Sequence, residues 1–538
     1  MLKLRHLLII VIFIALTGLV SWAKNKASIE DLQKTVNDTS YGNYWDRLSA
    51  IKKLGKFNNK DAAIILGGLL DDSEAPIREG AVMALGAMTD RASIEWLSAV
   101  PLVNPKSPQM RFHAAWALAL INDSSILASL VNSLNDPDDT VRAKVIEAIG
   151  CLPDSTGATE VLIKKLNDPD VDVRAAAALC LGRMKAQSSL QELVKKVDDS
   201  HWQVKAAVLE ALTEISPETA LTHLMAGLKS AQPQIRIIAL ESLAKIPLDK
   251  GTILKTVAEF FSDKVPAVRT TAIQISRKSH DRKYIPYLIE RLKEAQWQMR
   301  YDIISALSGI TGLSGKYSTS GWLSWYEANK DKIETMLGAT LPEAGPDETI
   351  PTFFTIPVMG KNIIFIIDFS RSMKNESGEK DSLRKVDIAL KELETTISKL
   401  TPAVQFNIIA MSTEAIRMNK RRVGPAMLAA TEPNKKLAME FVRSLWDKLE
   451  DIRRGRGDFY DAVTEAMMEP NLDTIFMLSD GNPTYGTYIL ENNIIPNLEK
   501  QNFFRKITIN TIMTGEKGTN PELMQKIADI TGGVFIRK

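Results

Sequence analysis

Cysteine and histidine are scarce in this sequence, with two of the first and five of the second among 538 residues. So few cysteines exclude a disulfide-built fold. The histidines beyond the N-terminus, His113, His201, His223 and His280, are scattered and form no zinc motif. No HExxH helix and no nucleophile elbow is present. A charge imbalance is missing too. The formal net charge is +2, which argues against the basic footprint of a nucleic-acid-binding protein. Beyond one N-terminal run, no stretch is long and apolar enough to span a bilayer.

At the N-terminus Lys3, Arg5 and His6 precede an apolar run from Leu7 to Val20, followed by Ser21-Trp22-Ala23. A basic region, a short hydrophobic region and a small-x-small site read as an export signal over residues 1–23. The alternative is an uncleaved anchor, against which the run is shorter than the roughly 20 residues that span a bilayer. The expectation is therefore an exported protein (periplasmic, extracellular or cell-surface) with no membrane span after signal removal.

A repeat dominates the next 280 or so residues. DPDDTVRAKVIEAIG (136–150) and DPDVDVRAAAALCLG (168–182) are variants of one unit. Its central basic residue recurs as Arg47, Arg78, Arg111, Arg142, Arg174, Lys205, Arg236, Arg269 and Arg300, in steps of 31 to 33 residues. Each unit reads as two helices. Asp136 or Asp168 at the turn is placed to accept from the free N–H groups of the second helix, and the following Pro suits a helix start. One such pair cannot bury its apolar face alone, whereas a stack of nine can, which makes an α-solenoid. Cys151 and Cys180 fall at different phases of the unit and read as small core residues rather than as disulfide partners. The D-P-x-x-x-V-R-x-x-A pattern resembles short-period HEAT-like repeats of the PBS-lyase type. That resemblance implies that the recurring Arg pairs with an acidic residue of a neighbouring unit.

The solenoid is assigned to residues 30–335. Its last segment, with Trp322 and Trp325, is expected to cap the open apolar end of the stack. TGLSGKY (311–317) lacks the first Gly and the Ser or Thr of a phosphate loop. Residues 336–360, which contain LPEAGPDETIPT, are expected to be a linker.

From 361 onward, apolar strands alternate with amphipathic helices, which predicts an α/β, doubly wound, Rossmann-like domain with a parallel sheet over 361–538. Such sheets place ligands beyond the carboxyl ends of their strands, at the topological switch point. The first strand, KNIIFIID, ends in Asp368, with Ser370 and Ser372 just beyond. A later strand, TIFMLSDG, ends in Asp480. If the two strands are neighbours, two carboxylates and two hydroxyls meet at one edge. That is a set of hard oxygen ligands, suited to Mg²⁺ first, and to Ca²⁺ or Mn²⁺. The alternative is that the motif only caps the following helix.

DFSRS (368–372) resembles the D-x-S-x-S of von Willebrand factor A domains, Asp480 in MLSDGNPTYG matches their late aspartate, and TGGVFIRK resembles their closing turn and strand. The resemblance covers 361–538. It implies a metal-ion-dependent adhesion site in which a partner's acidic side chain completes the ion's shell. One departure stands out. GRGDFYDA (455–462) places Gly457 where the family carries a Thr ligand, and Asp458 is the candidate to compensate. The Arg456-Gly457-Asp458 tripeptide falls in that loop and reads as coincidence. The basic runs at 420–422 and 453–456 read as solvated loops.

The functional expectation is an exported, non-enzymatic, protein-binding scaffold. Asp368, Ser370, Ser372, Asp480 and Asp458 would hold a divalent cation, and the protein partner would offer an acidic side chain. The alternative is a metal-independent scaffold with a degenerate site. A hydrolase would need a general base beyond the coordinating carboxylates, and none can be named.

Overall fold

The structure is a computed structural model that describes residues 28–39, 44–247, 250–313, 318–333, 350–370, 373, 384–412, 416–419, 426–447, 457–514 and 519–538. The expected signal, residues 1–23, lies outside them, as do Ser372 and both basic runs. No described helix is long and apolar enough to cross a membrane. The chain forms two compact units, Met1–Ala220 and Leu221–Lys538.

The first unit consists of paired helices, such as Leu127–Ser133 with Asp139–Ile149 and Thr159–Lys165 with Val171–Arg183. Small residues let successive second helices approach closely. A Cβ on Gly182 would stand 2.7 Å from the Ala211 Cα. The recurring arginines form a ladder. Arg111 makes a two-pronged bond to Asp136, at 2.6 and 2.8 Å. The Asp136 carbonyl accepts from Arg142 Nη1 at 2.9 Å, and Arg142 in turn grips Asp168 at 2.8 and 3.1 Å. The Asp168 carbonyl accepts from Arg174 at 2.9 Å, and Arg174 reaches Asp199. Each of these guanidiniums thus ties its own turn to an aspartate 25 or 26 residues ahead, in the turn of the next unit.

One detail differs from expectation. The helix caps are Asp138 and Asp170, whose carboxylates accept from Val141 and Val173 N–H, and the helices begin at Asp139 and Val171 rather than at the prolines. Asp136 and Asp168 accept from the N–H of Asp138 and Asp170 and so hold the turn. Cys151 and Cys180 are both free thiols. Cys180 is buried, as expected, and burial pushes its thiol up to about 12, but Cys151 is exposed.

The second unit contains the last repeats together with the α/β region. The ladder continues as Arg236–Asp263, both bonds at 2.8 Å. Trp322 and Trp325, on helix Thr319–Asn329, are buried against each other edge to face at 5.5 Å.

The α/β region begins with a hairpin, β1 (Thr352–Phe353) and β2 (Ile356–Pro357). β3 (Asn362–Asp368), β4 (Gln405–Met411), β5 (Ile416–Arg417), β6 (Leu428–Ala429), β7 (Thr474–Ser479), β8 (Thr508–Met513) and β9 (Phe535–Arg537) make the main sheet. Its order is β5-β4-β3-β7-β8-β9, with β6 also on β4. The strands from β4 to β9 along this path are parallel, as expected, but β5 and β6 run antiparallel, so the sheet is mixed. Among the described residues five helices cover it: α1 (Lys385–Lys399), α2 (Glu432–Asp447), α3 (Phe459–Ala466), α4 (Glu491–Asn502) and α5 (Pro521–Thr531).

β3 is buried on both faces, as a central parallel strand must be. Ile363, Phe365 and Ile367 pack with Leu390 and Leu393 of α1, while Ile364 and Ile366 pack with Val463 of α3 and Leu523 of α5. The hairpin belongs to the first of these layers through Phe353, Phe354 and Ile356. Packing therefore starts before residue 361, inside the segment expected to be a linker. Helix Trp297–Thr311 of the last repeat meets the sheet's amino edge. Gln298 accepts from the Thr474 hydroxyl at 2.8 Å and donates to Thr508 at 2.9 Å. These threonines open β7 and β8, so the carboxyl ends of the strands lie at the other edge.

Candidate metal site

β3 and β7 are neighbours, paired in register from Ile363 with Thr474 to Ile367 with Leu478. This brings Asp368 and Asp480 together at the carboxyl edge, each 1% exposed. Asp368 Oδ1 accepts from Ser370 N–H at 2.8 Å, and Oδ2 accepts from the Ser479 hydroxyl at 2.6 Å. The Ser370 hydroxyl also hydrogen-bonds Asp368. Burial, and then the charge of Asp480, push the Asp368 carboxyl up to about 6. Asp480 Oδ1 accepts from Asn482 N–H at 3.2 Å, and its carbonyl accepts from Asn520 N–H at 3.1 Å. Gly481 completes the turn with φ +80°, where a Cβ would stand 2.6 Å from the Asn520 carbonyl oxygen. Only glycine meets both demands.

Of the expected ligands, the structure thus brings together Asp368, Ser370 and Asp480. Ser372 lies outside the described residues. Asp458 stands at the start of α3. It caps α3, accepting from Asp461 N–H at 3.3 Å. Burial and the neighbouring Asp461 charge push its carboxyl up to about 7. Gly457 does face the site, since a Cβ there would stand 3.8 Å from Ser370 Cβ, with room for a side chain.

Two residues of the site were not visible in the sequence. Thr484 accepts from Gly457 N–H at 2.7 Å, which sets a hydroxyl beside the position of the missing threonine. Lys385, in the first turn of α1, is 4% exposed and places Nζ 3.9 Å from Asp480 Oδ2. Thr484 lies four residues past the late aspartate, and that spacing is the signal a reader could have followed. Lys385 carries no comparable signal, because only the docking of α1 brings it to the edge.

Among the described residues no group of three or more His, Cys, Asp or Glu is arranged to hold a metal. The donors here are two carboxylates with serine and threonine hydroxyls, the hard oxygens that Mg²⁺ accepts. Asp368, raised by burial and then by the charge of Asp480, marks negative charge that a cation would relieve. The residues fit a divalent ion on both counts.

The family model for HEAT repeats matches residues 99–162, 159–244 and 223–308. The chain contains HEAT repeats. The matched segments cover less than half of it. Among curated proteins, inter-alpha-trypsin inhibitor heavy chain 4 of Mus musculus is 27% identical over 148 residues, 26% of this chain and 14% of that protein. Heavy chain H4 of Homo sapiens is 28% identical over 137 residues, 24% of this chain and 13% of that protein. The chain therefore spans about a seventh of these relatives. Among solved structures, Kap121p is 13% identical, with a TM-score of 0.40, over 58% of this chain and 43% of that one. The CpcE–CpcF complex of phycocyanin lyase from Nostoc sp. is 19% identical, with a TM-score of 0.31, over 46% of this chain and 96% of that one. Scores this low carry no further argument.

Proposed function

We propose that the protein is an exported, non-enzymatic scaffold that binds protein partners. HEAT repeats and the limited likeness to inter-alpha-trypsin inhibitor heavy chains support an interaction scaffold. The finer reading is that the α/β region acts as a von Willebrand factor A-like domain. The observation that carries it is the meeting of Asp368, Ser370 and Asp480 at the ends of two neighbouring parallel strands.

In this reading Asp368 and Asp480 hold a divalent cation, Mg²⁺ first, with Ser370 and Ser372 as hydroxyl ligands. The ion supplies an open coordination position for a carboxylate of the partner. Ser479 fixes the Asp368 carboxylate through its hydroxyl, and Asn482 N–H fixes that of Asp480, so both are oriented before anything binds. Asp458, which caps α3, is the candidate fifth ligand, directly or through water.

Calorimetric titration of Mg²⁺, Ca²⁺ and Mn²⁺ into the full chain tests this directly. Saturable binding is expected in the wild type and not in Asp368→Ala. Equal binding by both proteins would place the metal elsewhere. Export is tested separately, by the mass of the mature N-terminus, expected to begin at Lys24.

A second reading, a metal-independent scaffold, is favoured by Gly457 in the place of a threonine ligand. It is distinguished by partner capture that survives chelator.

A further inference from the structure

Lys385 is a buried lysine set against the site's second aspartate. Its side chain is 5% exposed and that of Asp480 is 2% exposed, with Nζ and Oδ2 3.9 Å apart. An ammonium is costly to bury and is retained where it meets opposite charge. A separation of 3.9 Å is an ion pair without the close contact of a direct hydrogen bond. Lys385 therefore neutralises Asp480 without filling its coordination sphere.

We propose that Lys385 is a resident counter-cation of the sheet-edge site. It compensates the buried carboxylates when no metal is bound, and it opposes the divalent ion when one enters. This rests on the metal-site reading above. The formal charges give it a consequence. Asp368, Asp480 and Lys385 together carry one net negative charge. A divalent ion converts that to one net positive charge, and one carboxylate from a partner brings the site to neutrality. Without Lys385 the loaded site would already be neutral. The lysine thus makes the loaded site select an anionic partner, at the expense of metal affinity.

Two measurements on the full chain test this. The first is a double-mutant cycle of Lys385→Met and Asp480→Asn in chelator, read by thermal unfolding. Lys385→Met alone is expected to lower the midpoint, because it leaves the buried Asp480 carboxylate without its counter-charge. Adding Asp480→Asn should restore most of the loss. Additive effects would overturn the pairing. The second is Mg²⁺ affinity by calorimetry, where Lys385→Met is expected to bind at least about tenfold more tightly, because a nearby positive charge is removed. Unchanged or weaker binding would overturn the opposition to the ion. If Lys385→Met does not fold, Lys385→Gln, which keeps a polar tip, is read in the same two assays. A wild type that binds no Mg²⁺ while the cycle shows coupling would sink the metal reading and leave Lys385–Asp480 as an ordinary buried ion pair.

Discussion

Asp168 and Asp368 are both buried carboxylates at the end of a secondary-structure element, 7% and 1% exposed. Their surroundings differ. Asp168 receives the two-pronged guanidinium of Arg142 and the ammonium of Lys165 at 3.3 Å. Burial alone would raise its carboxyl, but the bonds from Arg142 and from Asp170 N–H outweigh that and hold it below the usual range. The Asp368 carboxyl is pushed up instead, by burial first and then by the charge of Asp480, against the lowering effect of its N–H and O–H donors. The repeats neutralise their buried charge within the fold. The sheet edge leaves charge for something else to complete. In the proposed reading, Asp168 is a carboxylate that holds the structure and Asp368 one that takes a ligand.

The largest expected effect lies on the structural side. Asp168→Ala leaves the Arg142 guanidinium, 11% exposed, without its carboxylate partner and should cost about 3 kcal/mol of stability, measured by chemical unfolding with hydrogen exchange to localise the loss. A cost below about 1 kcal/mol would class the ladder with surface ion pairs. Asp368→Asn should do the opposite in metal-free protein at pH 7.5, stabilising it by on the order of 1 to 2 kcal/mol, since a charge held against its preference is removed. A marked loss of stability would mean that the carboxylate is structural after all.

The pH dependence sharpens the same point. Asp368 is raised to about 6, above its unfolded value of about 3.9. The folded state therefore binds the proton first, and metal-free protein gains stability as pH falls from 7.5 towards 5. Asp168 is depressed, so its contribution persists through this window and is lost only as pH falls below the unfolded value. Asp302, Asp458 and Asp473 are also raised, to about 6, 7 and 7, mainly by burial. The part due to Asp368 is therefore the difference between wild type and Asp368→Asn, and equal slopes would remove Asp368 from the account. The smallest effect is expected at the loop. Thr484→Val should weaken Mg²⁺ binding by about threefold to tenfold, on the order of 1 kcal/mol, while Gly457→Thr should strengthen it. Calorimetry on both variants checks the pair of signs.

Much of this contrast was legible in the residues. The spacing of the arginines exposed the repeat, because each unit must place one guanidinium at the same point of its second helix. The apolar runs ending in Asp368 and Asp480 exposed the two neighbouring strands. What escaped was set by tertiary contact or by elements too short to carry a period. β1, β2, β5 and β6 have two residues each, which is too little for alternation to register. Asp138 and Asp170 took the capping role because the preceding aspartates were already engaged by arginines of the previous unit. Lys385 looked like any helical lysine until the packing of α1 turned it inward. The bonds of Gln298 to Thr474 and Thr508, between the last repeat and the sheet, likewise rest on tertiary contact.

Hydrogen–deuterium exchange of the full chain, with chelator and with saturating Mg²⁺, compares the two kinds of carboxylate in one experiment. Added protection is expected in peptides covering 364–373 and 474–487, with none in the repeat peptides covering 136–199, and it should vanish in Asp368→Ala. Protection that is absent from the sheet edge, or that persists in the variant, would contradict the assignment of Asp368 and Asp480 as the ligands of a divalent cation.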